Sequence, residues 1–169
     1  MIRDWRIEVA DGLSLQEVSA GLTTGSFLTS DLPDIAAWWL AAGRDTPARP
    51  EFGGAPTDDV WTLDALWKRV CDEVGIAKPS EDEAARIDVR RILAVWQSGR
   101  QSTREVLREF DLMSLYRFDG LDVTAGLLDE IEGGWGRKNA EVLADAEEPL
   151  RDLVSSLGSR PTWPSTSTP

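Results

Sequence analysis

Apolar residues recur at helical spacing along most of this chain. Counting from Leu63, they return after four, seven and eleven residues, so they lie on one face of a helix. Two later stripes have the same spacing, and each follows a serine with a glutamate three residues on, the pattern of a helix capping box. The three stripes comprise Leu63, Trp67, Val70 and Val74; Ala85, Val89, Ile92 and Trp96; and Val106, Phe110 and Met113. We therefore predict a mainly α protein, folded as a single-domain helical bundle.

The N-terminal segment has a different pattern and allows two interpretations. Apolar and polar residues alternate over residues 5–9, and a turn at Gly12 would pair that run with residues 13–15 in a short β-hairpin. The segment from Ser14 also has the pattern of a helix, with Ser14 as the N-cap and Glu17 at the third position. Only one of the two can form, because they use the same residues.

Proline and glycine indicate where the bundle is interrupted and where it ends. Residues 44–59 contain three prolines and two glycines, which predicts one long loop. Residues 159–169 consist mostly of proline, serine and threonine, a composition that does not form a packed core by itself. We expect one helical domain over residues 1–158, followed by this tail.

Two adjacent tryptophans, Trp38 and Trp39, lie in the helical stretch "SDLPDIAAWWLAAG". Neighbouring side chains on a helix point about 100° apart, so one core face cannot easily take both indoles. We predict that one of them packs on the helix of Leu63 and Trp67 and that the other lies beneath the N-terminal hairpin. Both would then be structural, with neither ring more than half exposed.

The charge of the chain limits its partners. Thirty acidic residues against 18 basic ones give a net charge of −12, whereas duplex DNA and anionic membranes attract clustered lysine and arginine. Charged residues near the N-terminus replace the apolar run of a signal peptide, and no stretch has the length of a membrane span. We expect a cytoplasmic protein that binds neither nucleic acid nor membrane directly.

The residue types also limit the chemistry. The chain has no histidine, which removes histidine-based acid, base and nucleophile activation as well as the usual zinc sites. Its one cysteine, Cys71, shares a helix face with Trp67 and is expected to be a small buried hydrophobe. We expect no enzymatic activity and no cofactor.

Carboxylates offer the remaining route to catalysis. Asp129 and Glu132 are three residues apart, and Glu148 and Asp152 are four apart, so two helices could each present a carboxylate pair to Mg²⁺. In a chain with 30 acids such spacings also arise on solvated helix faces. A metal-dependent hydrolase is therefore the third hypothesis, and no metal site is predicted.

A protein-binding surface is the stronger hypothesis. Of the eight tryptophans, several, including Trp61 and Trp135, are hard to bury in one core. Trp135 lies in a glycine-rich break between two acidic runs, an arrangement typical of an aromatic anchor with a charged field that steers a basic partner. The predicted partner-binding residues are Asp129, Glu130, Glu132, Trp135, Glu141, Asp145, Glu147 and Glu148.

The segment "VRRILAVWQSGRQSTREVLREFDLMSLYRF", residues 89–118, resembles small helical immunity proteins that act against colicin-like and polymorphic toxins. The shared pattern is a helix, a glycine, a Ser/Thr-x-x-Glu cap and a second helix. The resemblance implies a protein that inhibits a basic protein partner, such as a toxin, by blocking it. An alternative is a phage or other assembly protein, an adaptor or chaperone, with residues 44–59 and 159–169 as arms between subunits.

Overall fold

The computed structural model describes residues 12–44, 49–114 and 139–158. Within these ranges the protein is mainly α, as predicted, with seven α-helices, one short 3-10 helix and no strand. The α-helices are α1 (Leu15–Thr24), α2 (Leu32–Ala41), α3 (Arg49–Gly54), α4 (Val60–Val74), α5 (Glu81–Gln97), α6 (Thr103–Ser114) and α7 (Asn139–Leu157), and the 3-10 helix is Thr29–Asp31. None of these described helices has the length and apolar character needed to cross a membrane.

The described residues divide into two compact units at Ser80 and Glu81. The first contains α1 to α4, and the second contains α5 to α7. The expectation of a single domain over residues 1–158 stays a prediction, and the tail at 159–169 lies outside the described ranges.

Of the two interpretations of the N-terminal segment, the helix is the one that forms. The Ser14 hydroxyl accepts from the Glu17 amide at 3.2 Å, and the Glu17 carboxylate accepts from the Ser14 amide at 2.8 Å. This capping box satisfies amide groups that a helix start leaves without partners. Leu15 is therefore helical. The predicted hairpin is wrong for its second strand, residues 13–15, because that strand needed Leu15 in extended conformation. Residues 5–9 lie outside the described ranges.

The core of the first unit is centred on Trp39. Its indole is 2 % exposed and stacks on Trp67 of α4, with ring centroids 6.3 Å apart. Its Nε1–H donates to the carbonyl oxygen of Leu13 at 2.9 Å. The prediction that one of the paired indoles packs on α4 is confirmed. Trp38 is partly buried against the same core and lies under the Arg44 guanidinium, 5.1 Å from the ring centroid, so it has a structural environment other than the hairpin.

The prediction of a continuous loop over residues 44–59 is wrong, because α3 lies within it. Phe52 of α3 is buried in the core of the first unit, and α3 contacts both α2 and α4. Pro50 is in the first turn, where its missing amide hydrogen costs no helical hydrogen bond. The sequence did not predict this helix, because a single aromatic residue among prolines and glycines does not produce the apolar periodicity of a helix.

The second unit packs α5, α6 and α7 against one another, with Leu150 contributed by α7. The predicted stripes form its core: Val89, Ile92, Val106 and Phe110 are buried, and Trp96 is packed at the edge. The second capping box is also present, since the Glu105 carboxylate accepts from the Ser102 amide at 2.7 Å.

One charged pair lies inside the second unit. Asp88 and Arg91, one turn apart on α5, are both fully buried. The Arg91 Nε–H donates to Asp88 Oδ1 at 2.9 Å, and the Nη2 group donates to the same oxygen. The α5 helix therefore contributes a buried ion pair as well as apolar side chains to the second unit.

Candidate protein-binding surface

Four exposed carboxylates lie in a row along α7. The helix buries one face through Val142, Ala146 and Leu150 and is charged on the opposite face. The residues of this row, here called the α7 acidic stripe, are Glu141, Asp145, Glu148 and Asp152, and all four are exposed. Their i, i+4, i+7, i+11 spacing extends over about 16 Å of helix at 1.5 Å per residue. The stripe brings together three of the predicted partner-binding residues and adds Asp152.

Glu147, also predicted to bind the partner, lies on a different side of α7. Adjacent residues are about 100° apart around a helix, so Glu147 points away from the direction of Glu148. Its carboxylate pairs with the Arg151 guanidinium at 2.6 Å, one turn along the helix. Because the pair is exposed, it contributes little to stability, but it neutralises that side of α7. Arg151 is therefore paired on that side of α7 and not with the stripe.

The remaining predicted site residues, Asp129, Glu130, Glu132 and Trp135, lie outside the described ranges. Their proximity to the α7 acidic stripe stays a prediction.

The hydrolase hypothesis needed Asp129 and Glu132 to face Glu148 and Asp152. In the described part of the chain, no group of three or more histidine, cysteine, aspartate or glutamate side chains comes together as cation ligands do.

A cleft of about 380 Å³ lies between α5 and α7 in the second unit. Leu93 and Val154 form part of its apolar wall, and its polar groups come from Arg90, Gln97 and Ser155. These lining side chains include no carboxylate, thiol or amine that could act as a general base for Ser155. Among the described residues, the lining therefore offers hydrogen-bonding groups but no pair of a nucleophile and a general base.

Trp61 is an exposed aromatic residue that was not among the predicted site residues. Trp61, in the first turn of α4, is 89 % exposed, and the neighbouring Val60 is 49 % exposed. The signal was present in the sequence, since Trp61 lies off the stripe that begins at Leu63.

Asp59 caps this helix, with its carboxylate accepting from the Thr62 amide at 3.1 Å. Its hydrogen bonds with Thr62 lower the pKa of the Asp59 carboxyl.

Cys71 is buried in the core of the first unit, as the sequence predicted. Burial raises the pKa of its thiol to about 11, and the neighbouring Asp72 carboxylate adds to the increase. The thiolate is the reactive form of cysteine, so this environment suppresses nucleophilic chemistry.

We expect Cys71 to react slowly with iodoacetamide at pH 8 in the folded protein. With a pKa of about 11, on the order of one thiol in a thousand is ionised at that pH, and the core blocks access. Mass spectrometry of alkylated samples, with and without denaturant, measures this. The denatured chain should label fully and Cys71→Ser should not label. Equally fast labelling of the folded and denatured chains would contradict the buried position.

No protein-family model, curated protein or solved structure matches this chain. Residues 89–114, the described part of the segment compared above with immunity proteins, form the C-terminal half of α5, a turn at Gly99 and the Ser102-capped α6. This arrangement is common to helical hairpins, so a hypothesis about function depends on the surface. By fold and surface, the protein is defined as a mainly α acidic protein with a carboxylate row on one exposed helix face.

Proposed function

We propose that this protein is a non-catalytic binding protein of the immunity or inhibitor type, which blocks a basic protein partner such as a toxin. The observation that carries the proposal is the α7 acidic stripe, four exposed carboxylates on one helix face. The single basic residue of α7, Arg151, pairs with Glu147 and not with the stripe.

The alignment of these charges supports binding over simple solubility. Like charges at i, i+4 destabilise a helix by about 0.2–0.5 kcal/mol per pair. Solubility needs net charge, which the chain already has at −12, but it does not need four carboxylates on one face. A row of carboxylates on one helix face is favourable when a partner presents a complementary row of cationic side chains.

The mechanism is steric and electrostatic. Toxins that cut nucleic acid need basic clefts for phosphate, and carboxylates can occupy the positions that phosphate oxygens would take. Complementary charge accelerates the encounter, and the bulk of the helical domain then closes the cleft. The protein performs no chemical step in this mechanism, so no residue is assigned a catalytic role.

Neutralising the stripe tests this proposal. The variant Glu141→Gln/Asp145→Asn/Glu148→Gln/Asp152→Asn should lose a basic protein that the wild type captures from its source cell at low salt. A matched control neutralises four exposed acids elsewhere, Asp34→Asn/Asp72→Asn/Glu81→Gln/Asp82→Asn, and removes the same total charge. Quantitative mass spectrometry of the captured proteins, at low and high salt, gives the comparison. Equal loss in both variants would mean that net charge, and not the stripe, retains the partner.

The assembly alternative predicts a different result from the same experiment. It expects recovery of the protein itself as a salt-resistant oligomer, insensitive to the stripe variant. This alternative used residues 44–59 as an arm between subunits, but Phe52 of α3 is buried in the core of its own unit. That part of the segment is therefore occupied within the chain, which favours the inhibitor proposal.

A further inference from the structure

We infer that Trp61 anchors a second docking surface, in the first unit, which receives a basic segment of a partner protein. An arginine or lysine of that segment would lie on the indole and pair with the acids beside it. The surface, here called the Trp61 patch, consists of Asp58, Val60, Trp61 and Asp64. The inference rests on the proposed function for the basic nature of the partner, but it uses a different helix.

The exposure of Trp61 is not explained by packing within its unit. The α4 helix buries a complete apolar face through Leu63, Trp67 and Val70. Trp61 precedes Leu63 by two residues, about 200° around the helix, so it points away from that face. Trp67 is 7 % exposed on the same helix, whereas Trp61 is 89 % exposed. Exposed indoles of this kind are the side chains most enriched at the energetic centres of protein interfaces.

The charged residues nearest to Trp61 in the sequence are all acidic. Residues 52–67 contain Asp58, Asp59 and Asp64 and no lysine or arginine. Asp64 is exposed and lies one turn from Trp61, on the same side of α4. Asp59 is held by its hydrogen bonds to Thr62, so Asp58 and Asp64 are the carboxylates offered to a partner.

The next bases along α4 neutralise the patch only in part. Lys68 lies one turn beyond Asp64 and offsets part of its charge. Arg69 pairs with Glu51 at 2.6 Å. An indole face attracts a cation through its quadrupole, and two nearby carboxylates add to that attraction. The Trp61 patch therefore selects a cationic side chain over an apolar one.

The same charges decide between occupants. A second copy of this chain would bring the same acids against the patch, in addition to a net charge of −12 on each molecule. Nucleic acid and anionic membranes are repelled for the same reason. A basic polypeptide is the occupant for which both the indole and the carboxylates are attractive.

The test uses a fluorescent oligo-arginine peptide as the basic probe and an oligo-glutamate peptide as the negative control. Affinity is measured by anisotropy, and the indole N–H resonance of Trp61, assigned from its absence in Trp61→Phe, is followed by NMR. We expect this resonance to shift saturably with oligo-arginine. Trp61→Ala should weaken binding about tenfold, and Trp61→Phe should retain most of it. Leu40→Ala, a matched change at another exposed apolar side chain, should leave affinity unchanged.

The outcomes separate this inference from the proposed function. If the Trp61 resonance stays fixed and only the α7 stripe variant loses the peptide, the Trp61 patch is overturned and the proposed function stands. If Trp61→Ala weakens binding and the stripe variant does not, the patch is supported and the α7 surface fails. Sedimentation that shows self-association removed by Trp61→Ala would identify a second copy as the occupant and overturn the inference.

Discussion

Replacing Gly21 with alanine is expected to destabilise the first unit by about 2–3 kcal/mol. This result runs against local propensity, because alanine in a helix interior is normally better than glycine by about 0.5–1 kcal/mol. A Cβ at Gly21 would lie 2.0 Å from a ring carbon of Phe27. Phe27 is almost fully buried in the core of that unit, so its ring has little room to move away.

Gly53→Ala provides the matched control. Gly53 is also helical, and a Cβ there would meet no atom within 4 Å. The control should therefore leave stability unchanged or raise it by up to about 1 kcal/mol. Urea unfolding followed by circular dichroism measures both variants. Equal midpoints for Gly21→Ala and the wild type would show that Phe27 does not pack on Gly21 in solution.

Replacing Asp88 with alanine is expected to cost the second unit about 3–5 kcal/mol. The change takes away the carboxylate that accepts from the Arg91 guanidinium, while the cation stays in a fully buried position. Removing one partner of a buried pair is costly because the remaining charge loses part of the compensation for its desolvation.

Two further variants separate this explanation from simple loss of volume. Asp88→Leu/Arg91→Met removes both charges and keeps apolar bulk, so it should be closer to the wild type in stability than Asp88→Ala. Glu147→Gln breaks the exposed Glu147–Arg151 pair and should change stability by less than about 1 kcal/mol. Denaturant unfolding of the set gives the comparison. A double variant less stable than Asp88→Ala would contradict the buried-charge explanation.

Much of the fold was accessible from periodicity and capping. The stripes that begin at Leu63, Ala85 and Val106 each predicted a helix that forms, because a 3.6-residue period on one face is a local property of the sequence. The cap at Ser102 was predicted for the same reason. The α3 helix was missed, because its buried residue Phe52 depends on the contacts of α3 with α2 and α4, and the sequence around Phe52 shows no helical periodicity.

The candidate site was predictable only in part. Sequence spacing placed Glu141, Asp145 and Glu148 together, because all three are on one helix. It also included Glu147, which the structure places on another side of α7 and in a pair with Arg151. It left out Trp61, which was expected to be hard to bury but does not lie between two acidic runs as Trp135 does.

The sequence by itself determined the class of structure and the character of the surface: a helical chain, strongly acidic, without histidine and with one cysteine. These properties follow from composition and local period, which need no knowledge of what packs against what. The tertiary structure decided two things that depend on distant residues: that Asp88 and Arg91 are buried, and that Trp61 is exposed to water. Burial is set by the neighbours that a side chain acquires on folding, and a one-dimensional pattern does not contain those neighbours.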